Sequence, residues 1–300
     1  SWRCKMEIPD YCKNFGLFHQ SASTANLPID QAILKLYLRQ EHKLNYPDAA
    51  RMMLGRLVQT ALDHHLGLHD FSPIKGQQEG LEINQAIRES LTEYQQYTPR
   101  TWDNGKDQLE YETYQDYLPD MVKVAAQGIK EYFQNVNSID GEFAQHHIEE
   151  QIDVPVLYYQ DYSGGGRQID LKCHAPIKNP TKKDGTSTWR IPKPRTEPLP
   201  SWIRQQAVYW KATGQKPALL SVTATDYHII DEKNCEQMQD EYLQVAYDSV
   251  VHDWKVMQNL FKDSRGSWIE LKNRAKLDYP EVLQRYGPDI AKLAQQLWSK

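Results

Sequence analysis

The chain has 300 residues, 40% of them hydrophobic and 25% charged, with a formal net charge of −5. These proportions are ordinary for a soluble globular protein, and the length suits one large core, read here as a single domain. No apolar run approaches a membrane span, the start lacks a secretory pattern, and Cys4, Cys12, Cys173 and Cys235 show no C-x-x-C spacing. Those absences argue against a membrane protein and against a zinc or iron–sulfur site, and for reduced thiols in a cytoplasmic setting.

In chain order, residues 28–44 read as a helix with Asp30 as a cap. A second helix runs from Asp48 to Gly67, with Met53, Leu54, Leu57, Val58, Ala61 and Leu62 as a buried stripe and Gln59 beside it. Segments 82–96 and 108–134 are helical by pattern, the latter interrupted at Pro119, with a loop over 97–107 between them. Strands are expected around 146–152, over 154–162 and over 167–174. A long loop rich in Pro, Lys, Thr and Gly follows from Pro176 to Pro200. Then come a helix over 201–213, strands over 217–224 and 226–231, and helices over 235–263 and 278–298, broken near 264–266 and at Gly287-Pro288. The expected organisation is a helical part to about residue 140, an α/β core over about 141–232, and C-terminal helices over about 233–300.

The stretch from Val154 to Lys172 carries the chemistry. Two β-prone runs flank Gly164-Gly165-Gly166, and Gly-Gly supplies the positive φ angles of a tight hairpin turn. With Gly165-Gly166 as the turn, Asp161 stands opposite Asp170, and directly opposed Cβ atoms lie roughly 5 Å apart. Like charges so close repel, and a divalent cation between them removes that cost. Alternation puts Lys172 on the face of Asp170 and points Leu171 into the core. Two acids and a lysine on one sheet face suit metal-assisted hydrolysis of a phosphodiester. The bland alternative is an exposed hairpin with ordinary surface charges, since Asp-x-Lys triplets are common.

Asp161 followed by Asp170-Leu171-Lys172 resembles the PD-(D/E)XK nuclease superfamily, especially its RecB-type exonucleases and related enzymes of tailed phages. A Gln…Tyr helix after the catalytic strands is matched to Gln206 and Tyr209, and a Gly-x-x-x-His helix to Gly55 and Gln59. The sequence departs from the family at Gln59, which replaces the metal-binding His, and at Tyr158, where a Gly is frequent. The resemblance implies an α/β fold with a central mixed β-sheet flanked by helices, and Mg²⁺ or Mn²⁺ held by Asp161, Asp170, the Leu171 carbonyl and Gln59. It implies that Lys172 orients the attacking water or stabilises the transition state, with Gln206 and Tyr209 in support. The implied activity is exonucleolytic, on linear double- or single-stranded DNA, in phage-type DNA degradation, recombination or replication. A homo-oligomer, or a recombination or replication partner protein, goes with that role, as does the cytoplasm of a host cell for a phage-encoded chain. Glu149 and Glu150 offer a further acid, and alternation lets only one of them face the metal.

Charge is unevenly spread. Between Ser163 and Pro217 eleven Lys and Arg face only Asp170, Asp184 and Glu197, a local balance of +8 that leaves −13 for the rest. Lys178, Lys182, Lys183, Arg190, Lys193, Arg195 and Arg204 are therefore candidate phosphate contacts, and Trp189 and Trp202 candidate stacking platforms. His64, His65 and His69, and the pair His146-His147, read as ordinary histidines. Three other functions stay open: an endonuclease, a DNA-binding module that no longer cuts, and an adaptor using the basic loop.

Overall fold

The computed structural model of the chain describes residues 7–22, 26–44, 50–68, 80–96, 105–141, 144–181 and 188–299. A single turn, α1 (Asp10–Lys13), and a two-residue strand, β1 (Gln20–Ser21), precede the helices α2 (Ile29–His42), α3 (Ala50–Leu66), α4 (Ile83–Gln96) and α5 (Gly105–Tyr132). Strands β2 (Ala144–His147), β3 (Val156–Tyr159), β4 (Tyr162–Gly164), β5 (Arg167–Cys173), β6 (Ile177–Lys178) and β7 (Trp189–Arg190) follow. The chain continues through α6 (Pro200–Thr213), β8 (Lys216–Val222), β9 (Tyr227–Ile230), α7 (Asp240–Asp263), α8 (Trp268–Arg274) and α9 (Tyr279–Ser299). This is an α/β fold with mixed sheets flanked by helices, as expected.

The central sheet has the order β4-β5-β8-β9, with β5 and β8 parallel and both outer pairings antiparallel. A parallel pair needs a long crossover, and the segment containing α6 supplies it. Both faces of β8 are covered. Ala218, Leu220 and Val222 join Ile169, Val58, Leu62, Met121 and Ala125 in the largest core, under α3 and α5. Leu219 turns the other way, toward Ile230 and Trp202. That explains why β8 reads as a continuous apolar run instead of an alternating one. α5 approaches this sheet so closely at Gly128 that a Cβ there would lie 2.5 Å from Leu220 Cδ1.

A second sheet, β1-β3-β2, ties the N-terminal segment to the middle of the chain, Gln20 pairing with Val156 and Ser21 with Leu157. The single strand expected over 154–162 is therefore two strands in two sheets. The chain bends at Gln160-Asp161, where Gln160 donates to the carboxamides of Gln168 and Gln215. The strand expected around 146–152 stops at His147, because Glu149 turns inward to accept from the amide of Gln151 and the hydroxyl of Tyr247. Pro119 does not interrupt its helix, and α5 starts at Gly105, inside the expected loop, whose residues 97–104 lie outside the described ones. A helix not expected at all, α8, starts at Ser267, whose hydroxyl accepts the Glu270 amide.

The N- and C-terminal parts pack together. Phe15 lies 4.8 Å, centroid to centroid, from both Phe261 and Trp268. Leu34 and Leu38 of α2 share a core with Val282, Ala291 and Ala294 of α9. Trp268 Nε1 donates to Glu41 at 3.1 Å and the Tyr286 hydroxyl to Gln31 at 3.0 Å. Among the described residues, no helix is long and apolar enough to cross a membrane, and Cys12, Cys173 and Cys235 are all free.

Candidate active site

Gly165 and Gly166 take φ values of 57° and 74°, the pair of left-handed residues that a two-residue type I′ hairpin turn requires. The ladder pairs Tyr162 with Ile169, Ser163 with Gln168 and Gly164 with Arg167. Asp161 and Asp170 therefore stand one rung beyond, across the hairpin from each other. At that rung the backbone leaves the ladder, and the Asp161 carboxylate takes its place by accepting the Leu171 amide at 2.6 Å.

Asp170 is 4% exposed and ion-paired with Lys172, which shares its face of β5. Burial strips water from both charges, so each depends on the other. Lys172 Nζ also donates to Gln205 Oε1 at 2.9 Å and lies 5.8 Å from the ring of Trp202. Gln205 Nε2 in turn donates to the Tyr209 hydroxyl at 2.7 Å. A polar chain thus runs from Asp170 through Lys172 and Gln205 to Tyr209, bridging sheet and helix.

Gln206, expected to support Lys172, makes no hydrogen bond to it; Gln205 does. Gln206 is 0% exposed, and neither its Oε1 nor its Nε2 has a hydrogen-bond partner among the described residues. One residue along a helix is a swing of roughly 100°, so the neighbour of a correctly placed glutamine faces elsewhere. Gln205 and Tyr209, four apart, share a face, and that spacing is the signal that distinguishes them. On the nuclease reading, Gln205→Leu is expected to slow cleavage roughly 10- to 100-fold, the worth of one hydrogen bond to a charged group, with KM unchanged. Gln206→Leu removes only unpartnered polar atoms and should leave the rate alone. Steady-state kinetics on both variants check this, and the reverse pattern would restore Gln206 as the partner of Lys172.

Gln59 lies half-buried on α3, its backbone carbonyl 3.5 Å from the Tyr162 hydroxyl. One turn further, Asp63 accepts that hydroxyl at 3.0 Å. Burial first, then the charges of Asp63 and Asp161, push the Tyr162 hydroxyl far above its usual range. Asp63 is thus a further acid near the hairpin that the sequence reading passed over. Burial and the Asp161 charge also push the Cys173 thiol up to about 12, so it stays protonated and is no nucleophile near neutral pH. Glu149 is engaged by Tyr247 and Gln151, while Glu150 is exposed.

The basic residues divide. Lys178 and Arg190 project from the β6–β7 hairpin, and Lys193 and Arg195 are exposed beyond it. Arg195 also lies 5.9 Å from the Trp202 ring, so Trp202 is covered by Lys172 and Arg195 and is no open platform. Trp189 packs edge-on against Tyr114 at 5.9 Å. Arg204 belongs to the helix packing: it pairs with Asp253 at 2.6 Å and donates to Ser249 at 2.8 Å, which ties α6 to α7. Lys182, Lys183 and His69 lie outside the described residues.

Asp161 also lies at one end of a cleft of about 500 Å³, together with Gln205 and Tyr209. No family model matches the chain, and no curated protein or solved structure is found to be similar to it. Its chemistry rests on its own geometry. Among the described residues no three or more His, Cys, Asp and Glu side chains come together as a metal cluster. The Asp161 and Asp170 carboxylates are nevertheless hard oxygen donors of the kind Mg²⁺ or Mn²⁺ takes, ions that use one or two carboxylates and complete their shell with water and substrate phosphate.

Proposed function

We propose that the chain is a divalent-metal-dependent deoxyribonuclease that hydrolyses phosphodiester bonds, most readily from the ends of linear DNA. The observation that carries this reading is the pairing of buried Asp170 with half-buried Lys172 beside Asp161 at one end of a tight hairpin, braced by Gln205 and Tyr209. Isolated surface charges need no such bracing, and a buried carboxylate paired with a half-buried lysine is a poor choice for stability alone.

Mg²⁺ or Mn²⁺ would be held by Asp161, Asp170 and the Leu171 carbonyl, where it supplies a water of lowered pKa and charge neutralisation at the phosphate. Lys172, a compact point charge fixed by Gln205, stabilises the negative charge that grows on the phosphate oxygens. Asp170 is the counter-charge that Lys172 faces on β5. Lys178, Arg190, Lys193 and Arg195 position the backbone of the DNA without reading its sequence.

The test is incubation of end-labelled linear DNA and closed circular DNA with Mg²⁺, Mn²⁺ or EDTA. Metal-dependent loss of the linear form alone is the expected outcome. Cutting of the circle as well would make the enzyme an endonuclease. A second reading, a DNA-binding module that no longer cuts, is favoured by two observations: Gln59 where the resembling family has His, and the Asp161 carboxylate engaged by a backbone amide. Binding without cleavage under every metal would establish it.

A further inference from the structure

The cleft beside Asp161 has a second wall that the nuclease chemistry leaves unused. It comes from the N-terminal segment and α2: His19, Lys35 and Arg39 line it, and Asp161 is the only acid among its lining residues. Lys35 and Arg39 are four residues apart on one helix, where like charges destabilise. Lys35 is half-buried, and among the described residues neither side chain has a carboxylate partner. Burial, then the charge of Arg39, pulls both Lys35 and His19 below their ordinary values, His146 adding to the effect on His19. Cations that crowd one another with no carboxylate bonded to them suit an anionic ligand.

Aromatic rings flank the cations. Phe18 is 52% exposed and Tyr159 42% exposed, and both line the same cleft. A large ring left half in water beside cations is what base stacking on a single strand uses. The parallel pairing of β1 with β3, Gln20 opposite Val156 and Ser21 opposite Leu157, sets Phe18 and Tyr159 five positions apart along the strands, roughly 16 Å, so each ring would serve a different base of one strand. The cleft is ligand-sized, and a stacked duplex presents no free base face to it.

We propose that this cleft receives unpaired nucleotides of single-stranded DNA, with Phe18 and Tyr159 stacking on bases and Lys35 and Arg39 holding the phosphate next to Asp161. Resting on the nuclease reading, this makes the substrate a single strand or a frayed end fed past α2 toward the hairpin. The exposed loop basics then contact the strand on the other side.

The experiment measures fluorescence anisotropy of a labelled oligothymidylate and of a labelled blunt hairpin duplex, in EDTA, with the full chain and with Phe18→Ala, Tyr159→Ala and Lys35→Gln/Arg39→Gln. Circular dichroism melts confirm that each variant folds. The single strand is expected to bind more tightly than the duplex, and each aromatic variant to weaken it roughly five- to hundredfold, as for loss of one stacked base. The double cation variant should also flatten the dependence of affinity on salt. Equal binding of duplex and single strand, or folded variants that bind like the parent, would overturn the proposal. Cleavage with Mg²⁺ is scored separately. Strand binding lost in the variants without any cleavage by the parent keeps the cleft and removes the nuclease. Cleavage by the parent that the variants retain undiminished does the reverse.

Discussion

Lys172→Ala is expected to lower the cleavage rate by roughly 10²- to 10³-fold, the usual cost of removing one preorganised electrostatic contact. It should also destabilise the fold, because Asp170 is left buried with no counter-charge. Breaking a buried pair from one side costs about 3–5 kcal/mol, and each kcal/mol moves the melting temperature of a chain this size by about 2–4 °C. The two effects separate in the double variant Asp170→Asn/Lys172→Met. Removing both charges together spares the desolvation penalty, so most of the stability should return while cleavage stays at or below the level of Lys172→Ala. Recovery of cleavage in the double variant would remove the pair from the chemistry; a melt unchanged in Lys172→Ala would show that the pair is not buried in solution.

The second large effect is expected at Leu220, on the opposite face of the same sheet. It is 0% exposed, sits where Gly128 lets α5 approach, and pairs in register with Leu171. Leu220→Ala should cost about 2–5 kcal/mol through lost burial and the cavity left behind. Asp170 and Lys172 point away from this core, so activity at low temperature should survive. Chemical denaturation with urea, alongside cleavage assays at low temperature, checks both halves. A loss of activity without loss of stability would mean that the two faces of the sheet are coupled.

The hairpin was legible from sequence because its determinants are local. Two glycines demand a two-residue turn, and the period of two then puts Asp161 across the hairpin from Asp170, one rung past the ladder, and Lys172 on the face of Asp170. The α/β class was legible for the same reason, since β8 and the long helices carry strong apolar patterns. What failed was anything decided by a neighbour distant in sequence. Gln205 and Gln206 are chemically identical, and only the position of Lys172 on another element tells them apart. Arg204 looks like a phosphate contact until α7 brings Asp253 beside it. The run from Val154 to Tyr162 carries no local sign of changing sheets, because the bend at Gln160 is held by Gln168 and Gln215 from elsewhere. β1 is two residues long and has no pattern to read, so the cleft wall it attaches was invisible.

That wall has a consequence for how the molecule comes into being. The hairpin, α6 and β8 lie in the middle of the chain and can pair as soon as they are made. α2, which carries Lys35 and Arg39, is made first, yet its partners are Val282, Ala291 and Ala294 of α9 and Trp268 of α8, from the far end. Contacts of such sequence separation form late, because closing the long loop between them is entropically unfavourable. The hairpin with its acids and lysine is therefore expected to form early in folding, and the wall carrying Lys35 and Arg39 to dock against it late, once α8 and α9 are in place.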